Sequence, residues 1–171
     1  MVTAAGLTTA RAIAAAVPDP ELPMVTVADL GILRDVAAEG DRLVVTITPT
    51  YSGCPALREI AHDLRRRLAA SGYAEVTVRT ALAPAWSSDW ITAEGHRKLR
   101  AAGIAPPHAA DRRRASGPVP LTLTGTRREP VACPRCGSAV TTQTATFGAT
   151  ACTALYRCES CREPFEYVKE I

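Results

Sequence analysis

Four cysteines near the end of the chain constrain its fold more than any other feature. They form two Cys-x-x-Cys hooks separated by residues 137–157, and the members are Cys133, Cys136, Cys158 and Cys161. Two residues between the cysteines of a hook allow both sulfurs to face one ion, and Gly137 permits the tight turn after the first hook. Two hooks supply the four thiolates of a closed tetrahedral shell, so the spacing predicts a structural Zn²⁺ ion.

The residues around the hooks predict a zinc ribbon over residues 121–171. The segment between the hooks is rich in threonine, aromatic and apolar residues, which is typical of a β-hairpin. A module of this size buries too little apolar surface to fold without a disulfide or a metal. Structural zinc contributes on the order of 10–16 kcal/mol in zinc-finger peptides. Two disulfides or inert core thiols are the alternative, and the spacing favours zinc.

The composition is that of a globular protein and excludes a disordered chain. Hydrophobic residues make up 47% of the 171 residues, charged residues make up 22%, and the formal net charge is +3. No stretch reaches the roughly 20 apolar residues that span a bilayer, and the start lacks the charged region of a signal peptide. We therefore expect a cytoplasmic protein, in which thiols stay reduced.

The basic residues are concentrated in the middle of the chain. Residues 93–128 carry eight basic side chains and two acidic ones, including the run Arg112-Arg113-Arg114. Nearby proline, glycine and serine predict a solvated basic linker over residues 106–120. No aromatic side chains interleave with the arginines, so we expect no nucleic-acid partner for this segment.

Residues 7–105 predict a small mixed α/β domain with the order helix, β-hairpin, helix, strand, helix. Leu57, Ile60, Leu64 and Leu68 recur at intervals of three and four residues, as on the buried face of a helix. A strand hairpin is predicted to precede this helix and a third strand to follow it, with mostly antiparallel pairing. The fold class of the whole chain is accordingly α+β, with the β-rich zinc ribbon after the α/β domain.

Cys54 stands alone before the predicted long helix. Proline is favoured at the first helical position, so Pro55 places Cys54 at the N-cap, where backbone N–H groups and the helix dipole lower a thiol pKa. Position 57 is leucine, so no redox Cys-x-x-Cys pair exists, and no sequence pattern pairs a histidine base with Cys54. A thiolate that transiently binds iron or a cluster fits best. A partner protein or a second copy in a homodimer would complete its coordination.

Several further polar residues remain open to two interpretations. Asp29, before a Leu-Gly pair, is either a turn residue or a second polar group near the lone thiol. Asp19 and Glu21 lie between prolines and are expected to be loop residues. Cys152 lies outside both hooks, and a small buried residue of the hairpin is the favoured interpretation. The alternative is an additional ligand or exchange thiol.

The motifs of the first part resemble a known family. Residues 19–23, 29–31 and 48–55 are similar to the SufT-like family of small α/β domains, which is linked to iron–sulfur cluster assembly. The resemblance covers roughly residues 7–105. It implies that Cys54 handles iron or a cluster and that Asp29 assists.

Over the whole chain the resemblance is to the PaaD family of bacterial phenylacetyl-CoA epoxidase components. It rests on residues 84–92, 103–107, 147–152 and 154–158 and on the Glu-Pro-Phe run at 163–165. The resemblance implies an accessory, non-catalytic role in aerobic phenylacetate degradation, in metal maturation of a ring-1,2-epoxidising oxygenase. The implied partners are its catalytic and reductase components and cluster-assembly machinery. The chain lacks the two Glu-x-x-His motifs of a di-iron site and a Gly-rich dinucleotide fingerprint, which agrees with that role.

Two other functions remain as alternatives. The first is a stoichiometric docking component of the oxygenase, which would use the ribbon and the region of Trp86 and Trp90 as contact surfaces. Both tryptophans are otherwise expected to be packing anchors. The second is a zinc-ribbon nucleic-acid binder, which the near-neutral charge of the ribbon disfavours.

Overall fold

The computed structural model describes residues 3–51, 53–108 and 130–170, so most of the predicted linker lies outside the described residues. The helices are α1 (Ala4–Ala15), α2 (Ala56–Ala70) and α3 (Ala93–Ala101). The strands are β1 (Leu33–Glu39), β2 (Arg42–Ile47), β3 (Val76–Thr80), β4 (Ile104–Ala105), β5 (Thr141–Ala145), β6 (Thr153–Cys158) and β7 (Pro164–Val168). This arrangement confirms the α+β class. None of the helices in the described ranges combines the length and the apolar character that crossing a membrane requires.

The first sheet has the strand order β1-β2-β3. Strands β1 and β2 form the predicted antiparallel hairpin, whereas β3 runs parallel to β2. The expectation of mostly antiparallel pairing is therefore wrong for this pair. Helix α2 connects the two strands as a crossover and returns the chain to the end of the sheet where β2 began, so β3 must run in the same direction.

The core of the α/β part forms where α2 covers this sheet. Ile60, Leu64 and Leu68 are at most 1% exposed, as the helical periodicity predicts. They pack with Val45 and Ile47 of β2 in one apolar cluster, and each such side chain contributes about 1.5–3 kcal/mol on burial.

Helix α1 also packs on the sheet but begins earlier than its sequence suggests. The Thr3 hydroxyl accepts a hydrogen bond from the Gly6 backbone N–H (3.1 Å), so the N-cap is Thr3, before the predicted start of the α/β domain at residue 7.

The second sheet joins the two parts of the chain. Its order is β4-β7-β6-β5, and β4, which follows α3, pairs in parallel with β7 of the ribbon. Val168 at the end of β7 packs in the same apolar cluster as Ile60 and Leu64. The ribbon is thus attached to the α/β part by both hydrogen bonds and apolar contacts.

Candidate functional site

The four hook cysteines converge as their spacing predicts. The Sγ atoms of Cys133 and Cys161 are 3.8 Å apart, and those of Cys136 and Cys158 are 3.6 Å apart. All four sulfurs lie within 4.8 Å of one another. Zinc–sulfur bonds of about 2.3 Å in a tetrahedron place the sulfurs about 3.8 Å apart. The four-thiolate donor set and these two distances therefore fit a tetrahedral zinc ion.

The backbone of the two hooks explains this convergence. Cys133 donates its N–H to the Ser138 carbonyl and Cys158 donates to the Glu163 carbonyl, each at 2.9 Å, so both hooks close the same six-residue turn. The residue after each hook is left-handed, with φ of 75° at Gly137 and 65° at Arg162. In the second hook, the pKa of Cys158 is lowered to about 6, and the largest cause is the hydrogen bond from the Cys161 N–H. The lowered pKa favours a thiolate ligand.

Cys54 lies one residue further from α2 than its sequence predicts. Helix α2 starts at Ala56, and Pro55 occupies the N-cap with helical dihedrals of φ −68° and ψ −27°. Cys54 therefore precedes the N-cap, and its carbonyl is engaged only weakly, by the Leu57 N–H at 3.5 Å. Its side chain is half-buried.

The prediction of a lowered thiol pKa at Cys54 is wrong. Burial raises the pKa of Cys54, and the nearby carboxylates of Glu21 and Asp19 raise it further. The backbone N–H groups of Ala56 and Leu57 act in the opposite direction, as a helix N-terminus should, but they are outweighed. Cys54 is thus a neutral thiol that a metal ion would have to deprotonate.

Cys54 lines a small cavity between the α/β part and the ribbon, which we call the thiol pocket. Its volume is about 20 Å³. The α/β part contributes Asp19, Glu21, Leu30, Ile32 and Trp86 beside Cys54, and the ribbon contributes Cys152, Val168 and Lys169. The sequence leaves the role of Cys152 open and predicts Asp19 and Glu21 only as loop residues, whereas all three line the pocket. For Asp19 and Glu21, the only sequence signal of a role at the pocket was their position between prolines, within a motif of the resembled family.

Asp19 is a buried carboxylate that shapes the loop beside the thiol pocket. Its Oδ1 atom accepts hydrogen bonds from the Glu21 N–H (2.9 Å) and the Leu22 N–H (2.8 Å). Burial raises the pKa of Asp19 despite these two donors. Asp19 therefore combines a turn-forming role with a position at the pocket.

Asp29 does not line the thiol pocket. Its Oδ2 atom accepts from Lys98 Nζ at 2.7 Å and from the Thr26 N–H at 2.9 Å. Burial alone would raise the pKa of Asp29, but the bonds from Lys98 and Thr26 hold it below its ordinary value. The Asp29 carbonyl also accepts from the Thr92 N–H at 2.8 Å. This side chain is engaged in anchoring its loop to α3, and nothing in its contacts presents it to Cys54.

Both tryptophans pack against the segment before and at the start of β1, as expected of packing anchors. Trp86 is 4% exposed and donates its indole N–H to the Leu30 carbonyl at 2.9 Å. The Arg34 guanidinium lies 3.5 Å from the centroid of the Trp90 ring. Because Trp86 is buried, it offers no docking surface.

A further group of metal-binding residue types lies on α2. Glu59, His62 and Asp63 place one ligand atom each within 4.8 Å of the others. Glu59 and His62 are exposed, and Asp63 is paired with Arg66 at 2.6 Å. Glu59 and His62 form a single Glu-x-x-His motif that was not predicted as a site, and the ion pair and exposure of the group are those of a solvated helix surface.

Comparisons with known proteins divide the chain in a similar way. Residues 10–80 match the model of the family described as iron–sulfur cluster assembly protein. Residues 117–169 match that described as PaaD zinc beta ribbon domain. The first match contains Cys54, and the second contains the four hook cysteines and Cys152.

Individual relatives agree with both matches. The chain is 43% identical over 153 residues to an Escherichia coli protein described as the candidate D component of 1,2-phenylacetyl-CoA epoxidase. The match covers 90% of this chain and 86% of that protein. It is 35% identical over 83 residues to a Porphyromonas gingivalis protein described as an Fe-S protein maturation auxiliary factor. That match covers 47% of this chain and 78% of the other protein. The crystal structure of a domain of unknown function from Bacillus anthracis superposes with a TM-score of 0.50 and 31% identity, covering 54% of this chain and 90% of that one.

Proposed function

Since the chain belongs to the PaaD family of 1,2-phenylacetyl-CoA epoxidase components, we propose that it is an accessory, non-catalytic component of such an epoxidase. In this proposal it supports aerobic phenylacetate degradation by helping to install iron or an iron–sulfur cluster in the oxygenase or reductase components. Iron is the cargo in this scheme, and zinc in the ribbon is the resident metal.

The observation that carries the proposal is the environment of Cys54. The thiol lies within the residues that match the iron–sulfur assembly family and lines the thiol pocket beside two carboxylates. A thiol is a good ligand for a thiophilic ion once the proton is displaced. Since burial raises its pKa, Cys54 remains protonated without metal. This protects a cargo site from alkylation and oxidation, because the thiolate is the reactive form.

The ribbon supports this role by holding the second wall of the thiol pocket. When bound, zinc supplies a structural cross-link between the two hooks. Cys158 of the second hook is fully buried and packs with Phe165 and Tyr167 of β7. The strand that carries this core also carries Val168 and leads to Lys169 at the pocket. Folding of the ribbon around zinc therefore organises the pocket in which Cys54 lies.

Asp29 contributes to the proposed function through the backbone. It anchors the loop that contains Leu30, and both Leu30 and the nearby residue Ile32 line the thiol pocket. We therefore assign it a positioning role in place of direct contact with iron.

The test replaces Cys54 in cells that depend on the epoxidase for growth on phenylacetate. We expect Cys54→Ser to fold, retain one zinc per chain and abolish growth, while the purified partner components lack iron. Ala70→Ser, an exposed change at the far end of α2, is the matched control and should grow normally. Fully metallated partners in the Cys54→Ser strain would refute the maturation role.

A docking component without a metal-transfer role is the second candidate. It is favoured by two exposed apolar side chains of the ribbon, Val140 and Phe147, which are 63% and 64% exposed. In that case Cys54→Ser would be harmless, and Val140→Asp would prevent co-purification with the catalytic components.

A further inference from the structure

The two cysteines outside the zinc hooks line the same cavity, although they come from different parts of the chain. Cys54 precedes α2, and Cys152 precedes β6 of the ribbon, yet both line the thiol pocket. The Cys152 carbonyl accepts from the Lys169 N–H at 2.9 Å, which fixes the backbone of Cys152 to the end of β7. Its Sγ atom lies 3.0 Å from the Thr150 hydroxyl. Cys152 is therefore held at the pocket by the ribbon sheet.

The thiol pocket collects more acidic groups than basic ones. Asp19 and Glu21 lie beside the two thiols, and Lys169 is the single cationic side chain among the described lining residues. The Lys169 ammonium donates to the Ala151 carbonyl at 2.8 Å and lies 4.0 Å from the centroid of the Phe147 ring. Burial and the neighbouring carboxylates raise the pKa of both thiols. A bound cation would offset the repulsion between these carboxylates and the thiolates that form when Cys54 and Cys152 lose their protons.

The size and the donors of the pocket restrict its occupant. Its volume of about 20 Å³ is close to the room that one water molecule requires, roughly 10–15 Å³ on the same measure. One metal ion fits this space, whereas a four-iron cluster with its sulfides does not. Two thiolates select a soft or borderline ion such as Fe²⁺, Co²⁺ or Zn²⁺ over Mg²⁺ or Ca²⁺.

We infer that Cys54 and Cys152 jointly bind a single thiophilic metal ion at the junction of the α/β part and the ribbon. Two S–H bonds break and two metal–sulfur bonds form, and the two protons pass to solvent while the oxidation state of the metal is unchanged. The identity of the ion as Fe²⁺ rests on the proposed function, whereas the existence of the two-thiolate site does not. The cargo would then be a single ion, not a preformed cluster.

Anaerobic Co²⁺ titration of the full chain, loaded with one Zn²⁺ per chain and freed of excess zinc, tests this inference. Zinc binds such sites more tightly than cobalt, so the hooks stay occupied and the thiolate-to-cobalt charge-transfer band reports the thiol pocket. We expect one Co²⁺ per chain beyond the zinc. Cys54→Ser and Cys152→Ser should each halve the band. Loss of a residue that only hydrogen-bonds to a metal ligand costs about 10–100-fold in metal affinity. Loss of a thiolate ligand itself should therefore lower the Co²⁺ affinity at least tenfold.

The control is Ala151→Ser, which introduces the same side chain at the exposed neighbour of Cys152 and should bind Co²⁺ like the wild type. Zinc content of one per chain in every variant shows that the ribbon is folded.

The outcomes separate this inference from the proposed function. Wild-type Co²⁺ binding by Cys152→Ser, or no binding by the wild-type chain, would overturn the two-thiolate site. Weakening of the band in both serine variants would support it. If cells that carry Cys54→Ser then grow on phenylacetate with metallated partners, the site stands and the maturation role fails. If only Cys54→Ser weakens the band, the role of Cys152 fails, and the maturation role is decided separately by growth and partner metallation.

Discussion

Replacing Gly31 by alanine should destabilise the protein far more than the same replacement at Gly40. Both glycines have left-handed backbones, with φ of 67° at Gly31 and 64° at Gly40. A Cβ atom on Gly31 would lie 2.5 Å from the Trp90 Cβ atom and 2.6 Å from the Trp90 carbonyl oxygen. A Cβ atom on Gly40 would meet nothing within 4 Å. The pair therefore isolates the effect of close packing from that of backbone conformation.

The expected free energies follow from these two contributions. A left-handed alanine costs about 1–2 kcal/mol, and this is the full effect expected for Gly40→Ala. At Gly31 the backbone of residue 90 must also move, and overpacking of this kind costs about 1–3 kcal/mol more. Gly31→Ala should thus lose about 2–5 kcal/mol. Since Leu30 and Ile32 flank Gly31 and line the thiol pocket, the displacement should also change the alkylation rate of Cys54.

Equilibrium urea unfolding at constant free zinc measures both losses. We expect the transition midpoint of Gly31→Ala to fall well below that of Gly40→Ala, with similar slopes for the two variants. Circular dichroism in the far ultraviolet should show unchanged secondary structure for both. Equal losses at the two positions would show that the approach of Gly31 to Trp90 does not constrain the native packing, and the reasoning would be refuted.

Three further predictions concern the metal and the ionisable groups. Cys158→Ser, or a strong chelator, should remove zinc and abolish the amide-exchange protection of β6 and β7 while that of β2 persists; retained zinc by mass spectrometry would contradict this. Asp29 has a folded-state pKa below its ordinary value, so its bond to Lys98 stabilises the protein at neutral pH, and this stability is lost as the pH falls through that lowered pKa. Asp29→Asn should therefore cost about 1–3 kcal/mol at neutral pH and much less in strong acid in urea unfolding, and a pH-independent loss would exclude the ionic contribution. Burial raises the pKa of the Cys54 thiol. With no metal at Cys54, its alkylation in the folded chain, measured by peptide mass spectrometry, should therefore reach half its maximal rate at a higher pH than in the urea-unfolded chain. A lower midpoint in the folded chain would contradict the structure.

Much of the fold could be predicted because it depends on local patterns. The buried face of α2 follows from leucine and isoleucine spacing, and the β1–β2 hairpin follows from alternation around Gly40. The parallel pairing of β3 was missed, since strand direction depends on which way the crossover helix returns the chain. Helix α1 begins before the predicted domain boundary at residue 7, because the Thr3 hydroxyl caps it by accepting from the Gly6 N–H.

Local patterns were also enough to identify the zinc ribbon. Ligand spacing within each hook is a local property, and the family motifs lie in short continuous segments, so both could be recognised without a structure. The use of the remaining polar groups depends on the tertiary fold. The fold brings Asp19 and Cys152 to Cys54, engages Asp29 with Lys98, and reverses the expected direction of the Cys54 pKa shift. These outcomes depend on burial and on contacts between distant segments, which no periodicity or spacing along the chain encodes.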